Sequence, residues 1–98
     1  MQMDLPANVE SALHPLLGEL ALAGAEAVKV QQSPSFVDFL VFFVAGRHNF
    51  AIARDRGQFI VQGPERDVFE PAGLWKAFNG VAELSRPLLL WVRRENVA

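Results

Sequence analysis

The chain has 98 residues, 51% of them apolar and 20% charged, a balance that suits one folded domain over residues 1–98 and excludes intrinsic disorder. Cysteine, threonine and tyrosine are absent, which removes disulfides, thiolate metal sites and a cysteine nucleophile and leaves Ser11, Ser33, Ser35 and Ser85 as the only hydroxyls. The net charge of −2 and a pI near 5.6 do not favour a nucleic-acid partner, which calls for a basic face.

Residues 6–22 read as a helix. Pro6 suits the first turn, Asp4 precedes it, and Val9, Leu13, Leu16, Leu17 and Leu20 keep helical spacing along one stripe. Pro15 falls inside that stripe, so either a bend near His14 or two short helices is expected. Gly24 is a natural stop. Residues 25–31 alternate imperfectly, as a half-buried strand does, and Ser33-Pro34-Ser35 reads as a turn.

Residues 36–45 carry the strongest signal. β-Branched and aromatic side chains favour a strand there, and both of its faces are apolar. Such a strand needs cover on both sides, from two helices or from one helix and a partner subunit. After a turn at residues 46–49, a returning strand over 50–54 alternates large Phe50 and Ile52 with small Ala51 and Ala53. Asp55-Arg56-Gly57 is a second turn, and residues 59–62 form the next strand. A helix over 71–79 is expected, with Pro71 in its first turn and Asn79-Gly80 as its stop. Residues 87–93 then read as a final buried strand. The expected class is α+β: an N-terminal helix, an antiparallel meander of three to four strands, a second helix, and a last strand that joins a mixed sheet.

Chemistry-bearing residues are few. Asp38 lies inside the most apolar strand, where an ionised carboxylate requires a counter-charge, a cation or an opening to solvent, so it is the candidate functional carboxylate. The element order and the segment from Asp38 to Gly63 resemble the core of restriction-endonuclease-like nucleases. There an acid on the second strand works with an acid–x–lysine pair on the third, which holds a divalent metal. That resemblance makes Asp38 the first acid of a degenerate nuclease-related domain. The pair falls at Ile52-Ala53-Arg54, with isoleucine in the acid's place and Asp55 displaced into the turn. The hairpin at 50–62 followed by a helix is loosely similar to type III secretion chaperones, which are small acidic α+β dimers. This sequence has one strand after the second helix, where that family continues further.

His14 and His48 lack a metal-binding partner at helical spacing. Arg47, Arg54 and Arg56 lie at turns or strand ends and are the candidate anion or nucleic-acid contacts, with Asp55, Glu65 and Asp67 near enough in sequence to neutralise them. No pattern calls for a cofactor, a metal or a small-molecule substrate. Met1-Gln-Met-Asp carries an early acid and no basic start, and the longest uncharged apolar run, residues 39–45, is far short of the ~20 residues that span a bilayer. Seven arginines against two lysines match the usage of a GC-rich bacterial genome. The expected protein is therefore non-enzymatic and cytoplasmic. It hides its excess of large apolar side chains against a protein partner, by preference as a homodimer.

Overall fold

The computed structural model describes residues 5–32, 39–63 and 66–96. Helices α1 (Ala7–Leu13) and α2 (Leu16–Leu22) are the two halves into which Pro15 divides the expected helix. Proline has no N–H to donate and crowds the preceding turn, so the stripe continues across the break in two short pieces. Val9, Leu13, Leu16 and Leu20 are buried, and Leu17 packs against them partly covered. Gly24, at φ 98°, turns the chain into β1 (Ala25–Gln31).

Strands β2 (Phe39–Ala45), β3 (His48–Asp55) and β4 (Gln58–Gln62) follow as a meander. Arg56 and Gly57 both have positive φ, 54° and 82°, the conformation that a two-residue hairpin between twisted strands requires. A short helix α3 (Arg66–Phe69), a two-residue strand β5 (Ala77–Phe78) and a long helix α4 (Val81–Asn96) complete the chain. The five strands lie in sequence order, β1-β2-β3-β4-β5, and every pairing is antiparallel. The class is α+β.

Two expected elements differ. Residues 87–93 are not a strand but the second half of α4, so the sheet has no parallel partner and is not mixed. The helical period runs through Val81, Leu84, Leu88, Trp91 and Val92, a set that becomes visible only when the window starts before Pro87. Residues 71–79 do not form a helix. Gly73 takes φ 76° and the Leu74 N–H donates to the Phe69 carbonyl at 2.9 Å, closing a turn that delivers Phe78 to its partner Phe59 on β4. Asn79-Gly80 opens α4 rather than closing a helix, and the Asn79 N–H donates to Glu83 Oε2 at 3.4 Å.

The four described helices pack on one face of the sheet. There Phe39, Val41 and Phe43 of β2, Phe50 and Ile52 of β3, and Phe59 and Val61 of β4 meet Val9, Leu13, Leu20, Leu84 and Leu88 in one core. Trp91 is its centre, edge-on to Phe50 at 5.7 Å and to Phe69 at 5.2 Å, with Phe43 stacked on Phe50 at 5.1 Å. His48, at the start of β3, leans on Trp91 and pairs with Glu95, which ties the β2–β3 turn to the last turn of α4.

Candidate interaction surface

Alternate side chains along each strand point to the other face of the sheet, which carries no helix among the described residues. On β2 this face holds Leu40, Phe42 and Val44. They are half-buried or exposed, whereas Phe39, Val41, Phe43 and Ala45 between them are fully buried. The expectation of cover on both sides of this strand is met on one side only by the described residues.

The register sets what lies beside each side chain. Leu40 sits opposite Ala53, which sits opposite Ile60, which sits opposite Ala77. In the next row Lys29 meets Phe42, then Ala51, then Gln62. Ala51 and Ala53 are buried although they face away from the helices, because the larger side chains on β2 and β4 shade them. The surface is thus a shallow trough with an alanine floor. One groove of about 450 Å³ is lined by Val28, Lys29, Phe42, Val44, Ala51 and Gln62. A second, of about 470 Å³, adjoins it between β4 and the segment from Leu74 to Ala77, with Trp75 at its rim. Gly63 lines both. Its backbone lies so close to β3 that a Cβ there would stand 2.6 Å from the Asn49 carbonyl oxygen.

Three large apolar side chains stay open to solvent along the trough: Val28 is 52% exposed, Val44 38% and Trp75 48%. The charged groups are few. Lys29 holds its ammonium 5.5 Å from the centre of the Phe42 ring, and Glu26, opposite Val44, lies on the same strand. Gln31, Asn49 and Gln62 supply neutral amides, and Asp55 closes the far end of β3. β1 is the long edge of the sheet, yet it is poorly shaped for strand addition. A bulge shifts its register between Ala27 and Lys29, and the bulge and the lysine are the usual protections of an edge.

Among the described residues, those singled out from sequence do not assemble. Asp38 lies outside the described residues. Arg47 is in the β2–β3 turn and Arg56 in the β3–β4 turn, at opposite ends of β3, and a strand rising ~3.4 Å per residue sets their backbones about 30 Å apart. Arg54 points to the helix-covered face, its guanidinium 5.7 Å from the Phe59 ring centre. These three arginines make no common phosphate site. His14 lies between α1 and α2, apart from His48, and no group of three His, Asp or Glu side chains gathers among the described residues. The nuclease-like order also needed a strand after the last crossover, where the chain forms α4. Sequence reasoning missed Val28, Ile60 and Gln62; Trp75, whose size and helical spacing with Leu74 and Phe78 point to the core, is instead about half exposed, because residues 71–79 do not form the helix that would have turned it inward. The signal it held was the small-large alternation of β3, whose alanines mark the open face.

No protein-family model, no curated protein and no solved structure matches this chain.

Proposed function

We propose that this chain is a small, non-enzymatic, cytoplasmic interaction domain that pairs with a second copy of itself through the open face of its sheet. The observation that carries this reading is the alanine-floored trough, which presents Phe42, Val44, Val28 and Trp75 with little charge around them. Strands of seven, seven, eight, five and two residues, at ~3.4 Å per residue and ~4.8 Å between strands, give a face of roughly 470 Å² in projection, more once side-chain relief is included. That approaches the ~800 Å² per partner of a standard interface. A two-fold interface must be complementary to itself. Glu26 and Lys29 carry opposite signs on one strand and the central polar groups are amides, so two such faces meet without strong repulsion. The edge protection of β1 favours association by the face over association by strand addition.

Sedimentation equilibrium across the micromolar range tests the proposal. The wild type is expected to be a dimer. Phe42→Glu and Val44→Lys are each expected to give a monomer with an unchanged circular dichroism spectrum, because neither side chain belongs to the helix-covered core. A wild-type monomer throughout that range, or a dimer that survives both substitutions, overturns it.

A further inference from the structure

The outer side of α4 carries a different surface, on the layer opposite the trough. Arg86, Leu90, Arg93 and Arg94 are all exposed and follow one another at helical spacing, within an arc of about 100° that opposes the buried Leu84, Leu88 and Trp91. Eight residues of helix rise about 12 Å, so three guanidiniums and a leucine that is 54% exposed share one short stripe. None of the three guanidiniums has an ion-pair or hydrogen-bond partner among the described residues. The one acid on the same arc, Glu83, accepts the Asn79 N–H at the start of the helix.

The helix dipole accounts for part of this placement. Arg93 and Arg94 lie in the last turn, where cations are favoured. Arg86 lies two turns earlier and gains nothing from the dipole, and Leu90 gains nothing from water.

We infer that this stripe docks an acidic polypeptide segment that carries an apolar residue between its carboxylates. The combination selects the class of partner. Phosphates have no use for a leucine among the arginines, and a chain of net charge −2 repels a long nucleic acid outside this one stripe. A single leucine buries too little to hold a helix on a bilayer. A helical segment with a leucine, and with glutamates one turn to either side of it, matches both the length and the chemistry. This inference does not rest on the pairing of sheet faces, since α4 and the trough lie on opposite sides of the sheet.

The test is fluorescence anisotropy at low salt with a synthetic helix-forming peptide. It bears one leucine, with glutamate four residues before and three and four residues after it. Binding is expected, falling with added salt. The loss is expected to be about tenfold in Arg86→Ala and also in Leu90→Gln, each variant keeping the wild-type circular dichroism spectrum. Absence of binding, or binding unchanged in both variants, overturns the inference. So does tighter binding of a DNA duplex or of phosphatidylserine vesicles through the same residues, since charge alone then explains the stripe.

Discussion

The two glycines at positions 63 and 18 test the packing with one chemical change and opposite expected signs. Glycine to alanine costs the unfolded chain the same freedom at either site, so the difference between them reports the native state. Gly63 has φ 133°, a region side chains rarely enter, and an added Cβ would lie 2.6 Å from the Asn49 oxygen and 2.9 Å from Phe50 Cα. Both of these are backbone atoms and cannot swing aside. Backbone strain of this kind costs about 1–3 kcal/mol. Relieving the contact must also part the end of the β3–β4 ladder, where Ala51 pairs with Gln62, for about 1 kcal/mol more. The expected loss for Gly63→Ala is about 3 kcal/mol, a large share of the 5–15 kcal/mol that stabilises a typical domain. Gly18 lies inside α2 with nothing within 4 Å of its added Cβ, so Gly18→Ala should gain about 0.5–1 kcal/mol. Urea unfolding followed by circular dichroism measures both. A loss below about 1 kcal/mol at position 63, or any loss at position 18, refutes the close approach at one site or the open space at the other.

Two further substitutions probe how the helix layer is held. Trp91→Ala removes the ring on which Phe50 and Phe69 meet and should cost about 3–5 kcal/mol by denaturant midpoint; a cost under about 1 kcal/mol would place the ring outside the core. Glu95→Gln breaks the pair with His48, a contact about one-third exposed at each partner, and should cost no more than about 0.5–1 kcal/mol, less at high salt; a cost of several kcal/mol would make this pair, rather than Trp91, the tie between α4 and the sheet.

The parts legible in the sequence are those where one local signal acts alone. Pro15 divides α1 from α2, Arg56-Gly57 makes the tight turn, and the run from Phe39 to Ala45 forms a strand because its residues fit a pleated, buried surface. Where two signals compete, the pattern misleads. The alternation of β1 looks imperfect because the bulge near Val28 inserts a residue out of phase. In α4, Pro87 resembles an element boundary, yet the helix runs through it. The burial of Leu84, Leu88, Trp91 and Val92 on one side outweighs the single backbone bond that proline forgoes. Leu74 and Phe78 are buried, but a turn and a short strand place them there rather than the expected helix, since Gly73 directs the chain back towards β4.

The open face follows from the same arithmetic of cover. α1 and α2 are seven residues each and α4 is sixteen, and together they roof a single side of the sheet. A sheet face meant for water alternates inward apolar with outward polar residues, and threonine and charged residues commonly fill the outward positions. Here the outward positions of β2 are Leu40, Phe42 and Val44, and those of β3 include Ala51 and Ala53. Alanine at the floor lowers the apolar area left to solvent and keeps the surface flat enough for another to lie against it. Lysine or glutamate at 51 or 53 would protect the monomer better, and strand geometry permits either. The proposed pairing of sheet faces would cover these positions, and without it the cost of leaving them bare falls on the isolated chain.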